Sequence, residues 1–208
     1  MSEILKSWVM LCVPRTASTS LSIMLGLRLP SAKSIPKIDP NGHYFGHAPA
    51  SFLVKTFGYN HWRNVFSFGF VRNPWTRMVS VCARINPKAL SSPETFTTWL
   101  KANCPDQRGS PHPVAQDTFM HQPCSEFIFP CTYIGRFETL AIDIKRICLI
   151  IGIQEPDNYV CETRGTGDHP VEYYYNEEGR ALMLKLYKND FINFGYPTTP
   201  DPPQKSCQ

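Results

Sequence analysis

Two hundred and eight residues suffice for one sizeable core and fall short of two. The apolar share of 42% fits an ordinary globular chain; a formal charge of +4 is too dilute for a nucleic-acid binder but suits a small anionic ligand. The longest apolar run, Ile147 to Ile153, is too short to cross a bilayer, and the first residues lack the features of an export signal, so a cytoplasmic setting without membrane or nucleic-acid partners is expected.

In chain order, Trp8 to Val13 is short, apolar and followed by a proline, and reads as a buried strand. Ser18 to Leu27 reads as a helix, with Ser18, Thr19 and Ser20 as N-cap hydroxyls. Arg28 to Asn41 reads as loop, Tyr44 to His47 as a short strand, and Ala48 to Phe57 as a helix with Pro49 in its first turn and Gly58 at its end. Val65 to Val71 is the clearest second buried strand, and Pro74 opens a helix through Ile85. Pro93 opens another to Ala102. Asn103 to Pro130, rich in Pro, Gln, His and Cys, offers only a short helical turn over Asp117 to His121; so long an unstructured segment signals function or mobility. Thr132 to Ile134 reads as a third strand and Phe137 to Ile151 as a helix. After a loop from Gln154 to Pro170, Tyr174 to Phe191 reads as one amphipathic helix, before a proline-rich tail over 197–208 expected to be disordered. This alternation predicts an α/β fold of three layers, a central parallel sheet with helices on both faces, in a single domain over residues 1–196.

Cys12, Cys82 and Cys148 sit in apolar segments and read as buried free thiols, while Cys104, Cys124, Cys131 and Cys161 fall in or near loops. No C-x-x-C pair occurs, so no zinc signature is present and no metal is expected; Cys104, His112, His121 and Cys124 form at best a weak ligand set. Trp62, Trp75 and Trp99 read as core, and Tyr173 to Tyr175 as packing for the last helix.

Two stretches carry chemistry. VPRTASTSL, from Val13 to Leu21, sets one arginine and four hydroxyls where a strand turns into a helix. First-turn amides, the positive end of the helix dipole and a planar guanidinium together suit phosphate or sulfate. The stretch lacks the glycines and the lysine of a Walker A loop. The second buried strand ends in Arg72-Asn73-Pro74, and Ser80 follows two helical turns later on the same helix face as the residues at its start. Parallel sheets bind ligands at the carboxyl ends of their strands, so two such ends suggest a ligand with two separate anionic groups. The plainer alternatives are a capped helix bearing a surface arginine at the first stretch, and at the second an arginine that caps a carbonyl or pairs with a carboxylate.

VPRTASTSL followed by FVRNPWTRMVSV resembles the paired signature of sulfotransferases that use 3′-phosphoadenosine 5′-phosphosulfate (PAPS). Tyr133 to Glu138, with Leu140 and Asp143, and the late segment Tyr187 to Tyr196 resemble further family segments. The resemblance runs over residues 8–196 and is closest to the carbohydrate sulfotransferases, including those acting at the 2-O position of heparan sulfate. It implies a P-loop-NTPase-like fold with PAPS as donor, PAP as product and a hydroxyl acceptor, a small molecule or a carbohydrate. It implies that Arg15, Thr16, Ala17, Ser18, Thr19 and Ser20 hold the 5′-phosphosulfate and that Arg72 and Ser80 hold the 3′-phosphate. Arg15 would also stabilise charge on the leaving phosphate oxygen. His47, in a Gly-His pair resembling the one that carries the base in the heparan sulfate branch, would be the base, with His43 as runner-up. Arg164 loosely matches the basic late loop that covers the 3′-phosphate in cytosolic relatives, and Gln116 faces the acceptor if the long segment lies there. His61, His112, His121 and His169 read as solvated loop residues, with His112 or His121 within reach of an acceptor. The chain departs from the family at Arg15 (more often Lys), Ala17 (Gly in many members) and Asn73 (commonly Asp). The competing readings are a nucleotide kinase of related architecture and a non-catalytic PAP-binding protein.

Overall fold

The computed structural model describes residues 8–26, 37–38, 44–45, 47–104, 119–158 and 169–200. They fall into two compact units, one drawn from Met1–Val71 with Glu126–Glu162, the other from Arg72–Ser125 with Thr163–Ser206. In chain order the elements are β1 (Trp8–Leu11), α1 (Ser18–Met24), β2 (Lys37–Ile38), β3 (Tyr44–Phe45), α2 (Ala50–Phe57), α3 (Tyr59–Trp62), β4 (Phe66–Val71), α4 (Pro74–Ile85), α5 (Pro93–Asn103), α6 (Cys124–Ile128), β5 (Tyr133–Arg136), α7 (Leu140–Ile151), α8 (Glu177–Leu186) and α9 (Lys188–Phe194). Short 3₁₀ turns lie at Pro87–Ser91, Phe119–His121, Phe137–Thr139 and Val171–Tyr174.

The first unit is built on a parallel sheet in the order β1-β4-β5, with Trp8 opposite Phe66 and Phe68 opposite Tyr133. Strand alternation turns Trp8, Met10, Phe66, Phe68 and Phe70 to one face, where they pack with Leu21 of α1 and Leu140, Ile144 and Ile147 of α7. On the other face a Cβ added at Gly69 would meet Leu11 Cβ at 3.1 Å and Ile128 Cδ1 of α6 at 3.2 Å. Helices therefore cover the sheet on both faces, the α/β architecture expected from the sequence. Gly135 has no space for a side chain, because a Cβ there would stand 2.6 Å from the Phe70 ring. Asp143 of α7 ties the third strand to its helix, accepting from Tyr133 Oη at 2.7 Å, Arg136 N at 2.9 Å and Thr139 Oγ1 at 2.7 Å.

In the second unit α4 starts where Asn73 Oδ1 accepts from Trp75 N at 3.0 Å and Pro74 fills the first helical position. Ser92 and Thr95 form a reciprocal capping box on α5. Trp75 is fully buried, edge-on to Tyr175 at 4.8 Å, and Tyr175 Oη donates to the Trp75 carbonyl at 2.8 Å. Arg77 is also fully buried; Nη1 donates to Gln122 O at 2.8 Å and Nη2 to Met120 O at 3.2 Å. Asp190 accepts from the amides of Cys124 at 2.7 Å and Ser125 at 2.8 Å, capping the first turn of α6. Burial pushes the Asp190 carboxyl above its usual range, against the opposing pull of the Arg77 charge and the two amides.

Several expectations are corrected. The stretch expected to be one helix over Tyr174 to Phe191 is a 3₁₀ turn and two helices that break at Tyr187, whose ring is buried and whose hydroxyl donates to His121 O. Lys37–Ile38, expected as loop, pairs antiparallel with Tyr44–Phe45. The helices α3 and α6 were not anticipated. The start of the expected tail is anchored, since Trp75 Nε1 donates to Pro197 O at 3.0 Å. His121 is not a solvated loop residue; it is 7% exposed, with its ring 5.4 Å from Trp99. Cys12, Cys82 and Cys148 are buried free thiols as expected, and burial holds the Cys82 thiol at about 12. Trp62 and Trp99 are buried like Trp75. Among the described residues no helix is long and apolar enough to cross a membrane.

Candidate anion site and base

The carboxyl end of β1 turns sharply. Val13 N donates to Leu11 O at 3.1 Å, and the next residues include two in the left-handed region, Arg15 at φ 63° and Ala17 at φ 71°. That region suits glycine and strains a residue with a Cβ. Thr16 is buried and its hydroxyl donates to Val13 O at 2.9 Å, closing the turn. The expected hydroxyl N-cap is not formed: Ala17 occupies the cap position of α1, and Ser18, Thr19 and Ser20 lie in the first turn. The first bond of the helix ladder runs from Leu21 N to Ala17 O at 2.8 Å, so the amides of Ser18 and Thr19 precede it, and no side chain caps them. Arg15 is half-buried, Thr19 is exposed and Ser20 is buried. Every side-chain polar group of this turn is a cation or a hydroxyl; no carboxylate is present. That donor set fits a phosphate or sulfate.

His47 comes to the same strand end. Its Nδ1 lies 2.6 Å from the carbonyl of Cys12, a residue 35 positions earlier and just past β1. A carbonyl can only accept, so Nδ1 carries the proton and the lone pair is on Nε2. The ring keeps solvent access. Desolvation by its surroundings draws the imidazole pKa below 6.5, while the Cys12 bond pulls the other way. The neutral, proton-accepting form is favoured at pH 7. His43 lies outside the described residues.

Arg72 and Ser80 belong to the second unit. Arg72 follows β4 directly and is 7% exposed; its Nε donates to Thr76 Oγ1 at 3.1 Å. Ser80 is buried within α4. Arg15, Thr16, Ala17, Ser18, Thr19, Ser20 and His47 are thus gathered at one strand end of the first unit, and Arg72 and Ser80 stand on one strand–helix element. Arg164, Gln116 and His112 lie outside the described residues. Two features escaped the sequence reading. The Cys12 carbonyl leaves no side-chain signature; Thr76 does leave one, its i+4 spacing from Arg72.

Among the described residues, three other groups were the nearest alternatives. A depression of about 480 Å³ beside Asn176, Glu177, Glu178 and Ala181 is lined by two carboxylates, one of them paired with Lys101, and by no cation of its own. Burial holds the Cys104 and Cys124 thiols at about 12, so neither is a nucleophile. Among the described residues no cluster of three His, Cys, Asp or Glu side chains could hold a metal.

Residues 6–197 match the family model described as the sulfotransferase family. Neither the curated proteins nor the solved structures gave a match. The family match spans nearly the whole chain and includes both strand-end motifs and the helix-covered parallel sheet; the chain belongs to the sulfotransferase family, and its reaction class is sulfuryl transfer.

Proposed function

We propose that the protein transfers the sulfuryl group of PAPS to a hydroxyl acceptor, a small molecule or a sugar, with His47 as base. The observation that carries this reading is the His47–Cys12 hydrogen bond, which sets a proton acceptor at the strand end that runs into the Arg15 turn. The donor supplies sulfur activated on a phosphate, so that a bond from the acceptor oxygen to sulfur forms as the bond from sulfur to the bridging oxygen breaks. His47 takes the acceptor proton at Nε2. Arg15 and the first-turn amides meet the charge that builds on the leaving phosphate oxygen. Ser18 and Thr19 add hydroxyl donors, and Thr16 and Ala17 shape the turn. Arg72 and Ser80 hold the 3′-phosphate, with Arg164 as a further cation for it. Between Asp39 and Glu94 the sequence holds no carboxylate, so the stretch with His47 and Arg72 repels neither end of an anionic donor. Phe52 of α2, an exposed ring five residues after His47, offers an apolar face to an acceptor.

Transfer from radiolabelled PAPS to a panel of sugar and phenolic hydroxyls tests the reading. His47→Ala cuts transfer by about 100-fold or more while PAP binding stays within about twofold of wild type. In wild type, kcat/KM falls on the acid side with a midpoint below 6.5, because the lowered pKa keeps Nε2 unprotonated down to that pH, and this limb is lost in the variant. Undiminished transfer by His47→Ala overturns the assignment of the base.

A further inference from the structure

We infer that Thr76 is a positioning residue for Arg72, fixing which edge of its guanidinium faces the donor phosphate; this rests on the donor reading above. The Thr76 hydroxyl has one proton and spends it on Asn73 O at 3.1 Å. Its lone pairs therefore point away from that carbonyl, and Arg72 Nε–H occupies one of them at 3.1 Å. Asn73 is itself held. Its side-chain oxygen accepts from Trp75 N at 3.0 Å, and its carbonyl accepts Arg77 N at 2.9 Å as the first bond of α4. The chain of bonds runs from a helix terminus through one hydroxyl to the guanidinium. With Nε–H engaged on Thr76, the phosphate meets the Nη edge of Arg72, the edge suited to a bidentate contact. Arg72 is 7% exposed, so few rotamers are open to its side chain, and Thr76 selects among them.

The test is calorimetric titration of the full chain with PAP, alongside donor KM and kcat. Thr76→Val keeps the shape and removes the hydroxyl; it weakens PAP binding about tenfold, raises donor KM by a similar factor and leaves kcat within about twofold. Thr76→Ser restores wild-type affinity, which a purely steric role of the threonine would not produce. In an Arg72→Lys background, where no Nε–H remains to be oriented, Thr76→Val adds less than about twofold. Should Thr76→Val fail to fold, Thr76→Ala carries the same expectation. Wild-type affinity in Thr76→Val while Arg72→Ala loses binding overturns the positioning role and spares the donor reading. A full tenfold loss in the Arg72→Lys background, or no rescue by serine, also overturns it. Failure of the wild type to bind PAP overturns the donor reading and this inference with it.

Discussion

Ala17 stands at φ 71°, and nothing about its methyl group favours that conformation. Arg15, at φ 63°, shares the turn and the strain. Ala17→Gly relieves one of the two, so the variant gains about 1 kcal/mol, read as a higher denaturant midpoint at unchanged slope. A lower midpoint would mean that the turn is not left-handed there. This turn stands out as a candidate anion site because anion chemistry requires an arginine and hydroxyls within a few positions of one another, and a string of letters shows that directly. It does not show the local roles of these residues. Serines and threonines ahead of a helix read as caps, yet the positive φ at Ala17 shifts the cap back by one residue. His47 stands out as a candidate base from its Gly-His setting, whereas its anchor is a main-chain oxygen 35 residues away, invisible in any side-chain pattern.

Elements with strong local punctuation match the sequence closely. The helix α4 begins at Pro74 and ends at Ile85 as expected, because Asn73 caps it and proline fixes its first turn. Where the determinant is a distant contact, the reading fails. The amphipathic period runs through Tyr187 without interruption, and the break there coincides with a hydroxyl that reaches His121 O, 66 residues away. The five residues of α6 are too few to show a period, and their first amides are held by Asp190 from far along the chain. At the sheet, packing sets the sequence. Gly135→Ala drives a methyl to 2.6 Å from the Phe70 ring, which is buried and cannot swing clear. The variant loses about 1–3 kcal/mol, measured as a fall in the denaturant midpoint. A neutral effect would show that β4 and β5 do not pair in this register.

For the molecule as a whole, alternation gave the α/β class, but the strand order β1-β4-β5 depends on which crossover lies beside which strand, and no local pattern encodes that. Charge is unevenly spread along the chain. Residues 1–93 carry eleven lysines and arginines against two carboxylates, while the remainder carries ten against fifteen. The two motifs proposed to hold the donor and the proposed base fall in the cationic stretch, which would draw an anion toward them. The central claim is that these motifs bind a doubly phosphorylated adenosine, and its most direct measurement is calorimetry with PAP on wild type and Arg72→Ala. Wild type binds, and the substitution removes about 2–4 kcal/mol of affinity, as when the charged partner of a phosphate is deleted. Equal affinity in the two proteins would contradict the claim.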